Sequence, residues 1–134
     1  MLFSPLASQS ARHPDADIVL VEGALESAEP GERRLVAPYH IHRLDEEIFH
    51  VLSGQIGFEV GSEMFTAGPG DAVIVPRGAI HTWWNAAPTT ARYLLVMPKK
   101  LDDLIIAIHS RSYELDELNA FYDAYDTTYI GWNR

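Results

Sequence analysis

Between Ile18 and Met97 the apolar residues fall into short runs rich in β-branched and aromatic side chains. The runs read IVLVEGAL, RRLVAPYHIH, EIFHVLSG, QIGFEVG, EMFTAG, DAVIVP, HTWWN and ARYLLVMP. They are separated by EPGE, RLDE, SG, GS, GPGD, PRGA and APTT, all rich in turn residues or charge. This spacing predicts many short strands folded into a sandwich or small barrel. Alternation within a run assigns its faces. In QIGFEVG, Ile56, Phe58 and Val60 share one face, and Gly57 and Glu59 take the other, so Glu59 is expected to face solvent. DAVIVP is apolar on both faces and predicts a central strand.

The period changes after Pro98. Leu101, Leu104, Ile105 and Ile108 fall at i, i+3, i+4 and i+7, which predicts a helix with one apolar face. A second helix is expected over Glu114 to Asp126, carrying Leu115, Leu118, Phe121, Tyr122 and Tyr125. The tail TTYIGWNR has no period. The first residues are polar and broken by Pro5 and Pro14, and read as a loose arm or an added edge segment. The division expected is therefore an arm over 1–17, an all-β barrel over 18–98 and a helical tail over 99–134 that packs on or near the barrel.

Composition narrows the function. A chain of 134 residues makes one domain. Its net charge of -9, from 19 acids against 10 bases, repels phosphate backbones and argues against nucleic-acid binding. There is no cysteine, which excludes disulfides, thiolate metal sites and cysteine nucleophiles. The apolar stretches are too short to span a bilayer, and the N-terminus lacks a basic start and a sustained apolar core. A cytoplasmic protein without membrane attachment is the expectation.

The histidines carry the candidate chemistry. Of six, His13 and His109 have no partner in the sequence, whereas His40, His42, His50 and His81 lie in the β region. His40 and His42 are two apart, so in a strand both imidazoles point to one side and can reach one ion. Neutral imidazole is the commonest metal-ligating side chain. The carboxylates Asp45, Glu46 and Glu47 follow closely, and His81 comes after the turn at Pro76-Arg77-Gly78. The HxH pair taken alone suits a hydrogen-bonded polar patch as well as a metal site.

Two spaced motifs carry the argument further. His40-x-His42-x4-Glu47-x6-Gly54 resembles the first motif of the cupin superfamily. Gly70-x5-Pro76-x-Gly78-x2-His81-x3-Asn85 resembles the second. The match covers roughly Leu35 to Met97. Arg34 stands where the first motif usually begins with glycine, a backbone device whose loss leaves the ligand positions intact. The resemblance implies a double-stranded β-helix, a jelly-roll barrel, here with a C-terminal helical extension. It implies one divalent transition metal ion held by His40, His42, Glu47 and His81. Three imidazoles and one carboxylate suit Fe, Mn, Ni, Co, Cu or Zn. Four protein ligands on a six-coordinate ion leave two positions for water, dioxygen or substrate.

Glu47 is preferred to Glu46 on two grounds. An unbroken strand would put Glu46 on the histidine face, but Arg43 to Asp45 reads as a turn that resets the alternation, and the motif spacing to Gly54 selects Glu47. Phe49 and Val51 then share its face, while His50 points away. Beyond His81 the same parity places Trp83 and Asn85 inward and Trp84 outward. Phe49, Phe58, Trp83, Asn85 and Tyr93 are the candidate substrate-pocket residues; Trp83 suits a stacking wall and a core aromatic equally.

The function expected first is a mononuclear metal-dependent oxygenase of a small aromatic or phenolic molecule. Glu47 would be its catalytic residue, moving from ligand to base, a role implied by the resemblance to quercetinase-like cupins. The alternatives are an oxygen-independent metal-dependent polyketide cyclase or isomerase and a non-enzymatic small-ligand sensor. A homodimer is expected, with Trp84, His50 and the arm as candidates for its seam.

Overall fold

The structure is a computed structural model that describes residues 10–27 and 29–134. Its strands are β1 (Ile18–Leu25), β2 (Tyr39–His42), β3 (Glu47–Ser53), β4 (Ile56–Val60), β5 (Glu63–Ala67), β6 (Ala72–Val75), β7 (Ile80–Asn85), β8 (Ala91–Pro98) and β9 (Thr127–Gly131). Two helices, α1 (Lys99–Ile108) and α2 (Leu115–Asp123), stand between β8 and β9. The strands make a four-stranded sheet in the order β1-β8-β3-β6 and a five-stranded sheet in the order β5-β4-β7-β2-β9. Every pairing is antiparallel. Apart from the β4–β5 hairpin, the chain from β1 to β8 crosses to the other sheet at each step, which is the jelly-roll arrangement.

The alternation seen in the sequence becomes the inside and outside of this barrel. Phe49, Val51, Ile56, Phe58, Val75 and Trp83 point inward and join one buried cluster. Phe49 is its hub, with ring centroids 5.2 Å from Phe58, 4.9 Å from Trp83 and 6.0 Å from Tyr93. Trp84 points outward and is covered within the chain by the Arg33 guanidinium, 4.3 Å from its ring centroid. On the outer face of the four-stranded sheet, Leu20, Val96, Ile48 and Ile74 lie in register as one aliphatic row. His50 lies on that same face.

Three expectations are corrected. DAVIVP forms β6, which is an edge strand, not a central one. Its apolar outer face comes from Ile74, 62% exposed, and only Val73 and Val75 reach the core. The aperiodic TTYIGWNR supplies β9, which adds to β2 and extends the five-stranded sheet, so the tail is helical only as far as Asp123. Glu59 does face outward, but it is half-buried under Arg33 and Arg134, at 3.4 Å and 3.6 Å. Of the arm, Pro5 lies outside the described residues. Ala11 exchanges both backbone hydrogen bonds with Leu20 on the outer edge of β1, and Arg12 reaches the buried Asp102 of α1 at 2.7 Å.

Candidate metal centre

Strand β2 holds His40 and His42 on one face, as the two-residue spacing requires. The antiparallel register of β2 with β7 sets His81 directly opposite His40, with ring centroids 4.1 Å apart. Glu47 opens β3 in the facing sheet. Residues 43–46 are irregular, and the alternation restarts at Glu47, which is buried in phase with Phe49 and Val51. The tight turn before His81 is fixed by Gly78, whose φ of 82° favours glycine. The Gly78 N–H donates to the His42 carbonyl at 2.8 Å, so the turn carrying one histidine is anchored on the strand carrying the other two.

One ligand atom from each of His40, His42, Glu47 and His81 lies within 4.8 Å of all the others, and all four residues are buried. The structure therefore brings together the whole predicted ligand set. Glu46 stays outside and pairs with Arg77 on the surface at 3.3 Å. His50 is on the far face of its sheet. His13 accepts from the Asp15 N–H, and His109 bonds the Ile105 carbonyl within its own helix.

The hydrogen bonds decide which nitrogen each imidazole presents. His40 Nδ1 lies 2.6 Å from the Pro38 carbonyl oxygen, and His81 Nδ1 lies 3.0 Å from that of Ala79. A carbonyl only accepts, so both Nδ1 atoms carry the proton and both Nε2 atoms present a lone pair. His42 Nδ1 is bound likewise, 2.9 Å from Thr127 Oγ1. Glu47 Oε1 stands 3.1 Å from His81 Nε2 and 3.6 Å from His42 Nε2. With neutral rings, a carboxylate oxygen and an imidazole nitrogen at that distance are two acceptors facing each other in a buried space, unless a cation, proton or metal ion, lies between them. Such an arrangement calls for a shared cation. The donor set fits a divalent transition metal: imidazole and carboxylate are its usual ligands, and the outer nitrogens are oriented as in such sites.

Electrostatics are consistent with this. Burial pushes His40 down to about 3, helped by repulsion from His81 and His42, so its ring stays neutral. Burial alone would raise the Glu47 carboxyl, but the His42 and His81 rings beside it outweigh that and hold it well below the usual carboxylate range. Tyr93 is pushed up to about 12 by burial and then by the Glu47 charge, so it stays protonated.

The expected pocket residues are distributed differently. Phe49, Phe58, Trp83 and Tyr93 pack against one another beside the centre as barrel filling. Asn85 does not join them at the centre. It lies four residues, about 13 Å, along β7 from His81. Its amide group donates to the carbonyls of Glu26 and Thr89 at 2.7 Å and 2.9 Å. A groove of about 510 Å³ opens instead between the β4–β5 hairpin and β6, lined by Val60, Phe65, Val73, Pro76 and Ala79 among others. Val60 is the register partner of His81, but none of the four candidate ligands lines this groove. On the other side, Tyr122 of α2 has its ring centroid 6.4 Å from that of His40 and is itself buried. Sequence reasoning saw Tyr122 only as helical packing and did not single out Thr127. Neither carries a local signal, because their neighbours in the centre lie some 80 residues away in sequence.

Comparison with known proteins agrees with the geometry. No curated protein matches the sequence significantly. Many solved structures match the fold. A double-stranded β-helix protein of Klebsiella pneumoniae is 21% identical with a TM-score of 0.55, covering 72% of this chain and 83% of that one. The TT1209 protein of Thermus thermophilus is 27% identical with a TM-score of 0.52, covering 61% and 72%. The Cnp3 cupin domain of Schizosaccharomyces pombe is 18% identical with a TM-score of 0.53, over 66% of this chain and only 57% of that one. The model of the Cupin domain matches residues 24–97, more than half of the sequence, and spans all four candidate ligands. The chain belongs to the cupin family.

Proposed function

We propose that the protein is a mononuclear metal-dependent enzyme, and specifically an oxygenase of small aromatic or phenolic molecules. The observation that carries the metal is the approach of Glu47 Oε1 to His81 Nε2 at 3.1 Å inside a buried set of four ligand atoms. A bound ion would supply Lewis-acid polarisation and, if redox-active, electron exchange with dioxygen. The residues supply the rest. His40, His42 and His81 hold their Nε2 lone pairs inward on fixed rings. Glu47 is kept ionised, and it is the only carboxylate in the set, so it is the group placed to accept a proton from a substrate hydroxyl. The packed aromatics Phe49, Trp83 and Tyr93 keep bulk water from one side of the centre, and Tyr122 from another. The apolar lining of the groove beside Val60 and Phe65 favours a substrate with apolar surface.

The test is elemental analysis of the purified protein beside His81→Ala, followed by oxygen uptake with a panel of phenols. About one equivalent of a transition metal in the wild type, lost in the variant, with substrate-dependent oxygen uptake, is the expected result. Metal binding with turnover that persists without oxygen would favour the Lewis-acid cyclase or isomerase. A wild type that carries no metal and cannot be loaded would overturn the enzyme reading.

A further inference from the structure

The barrel strands that match the family model end before α1, yet the candidate centre reaches beyond them. Thr127, the first residue of β9, is fully buried. Its Oγ1 lies 2.9 Å from His42 Nδ1 and 3.2 Å from the Tyr125 carbonyl oxygen. A hydroxyl has one proton and two lone pairs. The carbonyl can only accept, so the Thr127 proton goes to Tyr125, and Oγ1 is left to accept from His42 Nδ1–H. His40 and His81 have their Nδ1 protons held by carbonyls two residues earlier in their own segments. His42 has no such local partner and takes its own from 85 residues away.

Thr127 is held in place by more than the β2–β9 ladder. Asp126, just before it, adopts a φ of 56°. Its carbonyl accepts from the Arg43 N–H at 2.9 Å, and its carboxylate meets Lys100 Nζ at 2.7 Å. Lys100 also pairs with Asp45 at 2.7 Å, and Arg43 donates to Thr128 Oγ1 at 2.8 Å. Arg43 and Asp45 belong to the short loop between His42 and Glu47. The C-terminal strand is thus clasped to the loop that joins two of the candidate ligands.

We propose that Thr127 is a positioning residue of the metal centre: it holds His42 as the Nδ1–H tautomer, with Nε2 presented to the ion, so that β9 completes the centre from outside the barrel strands. The inference rests on the metal reading above. An orienting partner of a histidine ligand is typically worth 10–100-fold in metal affinity.

The experiment has two arms. The first measures Zn²⁺ affinity by competition with a chromophoric chelator, in wild type, Thr127→Val, Thr127→Ser and Thr66→Val. Val keeps the shape and removes the acceptor, and Ser restores it. Thr66→Val removes an exposed hydroxyl on β5, at the opposite edge of the sheet from β9. The expected result is affinity weakened by about 10–100-fold in Thr127→Val, with Thr127→Ser and Thr66→Val close to wild type. Wild-type affinity in a folded Thr127→Val, or equal losses in all three variants, overturns the proposal. The second arm needs no variant: long-range ¹⁵N correlation spectra of the metal-free wild type read the His42 tautomer directly. A proton on Nδ1 is expected, and a proton on Nε2 alone overturns the proposal even if Thr127→Val does not fold. A wild type that binds no zinc yet shows the Nδ1–H tautomer would sink the metal reading and with it the role of Thr127 at a metal, while leaving the hydrogen bond. Tight wild-type binding unaffected by Thr127→Val would sink the positioning role alone.

Discussion

At the scale of single residues, neighbours in the fold decide what each side chain can do. The three imidazoles are chemically alike, yet their proton positions are set by a proline carbonyl, an alanine carbonyl and a threonine hydroxyl. Phe49 shows the same dependence. It is fully buried between Phe58, Trp83 and Tyr93, and it follows Glu47 by two positions on one strand face. Phe49→Ala is expected to cost about 3–5 kcal/mol through lost burial and the cavity it leaves. Urea denaturation at constant m-value checks this, and a loss below about 1 kcal/mol would show that the aromatic cluster collapses to fill the gap.

At the scale of elements, strand contacts rest on small residues as much as on large ones. Tyr93 of β8 lies over Gly23 of β1, where an added Cβ would sit 2.2 Å from the phenol ring. Trp84 of β7 lies over Gly57 of β4 in the same way, with its indole 2.2 Å from the position of such a Cβ. Gly57→Ala must push the indole off the outer sheet and out from under Arg33. A loss of about 1–3 kcal/mol is expected, the usual cost of overpacking. The thermal midpoint checks it, and a variant as stable as wild type would mean the indole swings away freely. Element by element, the sequence was legible where the period was clear. β3, β4 and α1 follow their patterns, and the inward Glu47 follows from the turn at Arg43 to Asp45. β6 and β9 were not legible. A four-residue apolar strand looks alike at the centre or the edge of a sheet, and β9 owes its conformation to the free edge of β2 more than to any pattern of its own.

At the scale of the whole molecule, the buried charge set ties stability to pH. His40 titrates near 6.5 when unfolded but is pushed down to about 3 in the fold. Between those values the unfolded chain binds a proton that the folded chain does not, so stability falls as pH falls. Glu47 acts in the same sense: its carboxyl is held below its ordinary value of 4.5, and its contribution is lost as acid protonates it. The metal-free protein is therefore expected to lose stability steadily from about pH 7 down to about pH 4. Thermal melts after chelation across that range check this, and His40→Asn should flatten the upper part of the curve. A flat profile in the wild type would show that the centre admits water and loses its burial.

The sequence by itself determined the short strands of a sandwich or barrel up to β8 and the two helices, which depend on alternation and turn residues acting over a few positions. The jelly roll and the four candidate ligands came from the resemblance of its two spaced motifs to the cupin pattern. Only the tertiary structure decided which aromatics fill the barrel, that β6 lies at an edge, that Asn85 is tied to backbone carbonyls away from the centre, and that Thr127 and Tyr122 reach it. Each of these depends on contacts between segments distant in the chain, and no local pattern records which distant segment will be the neighbour.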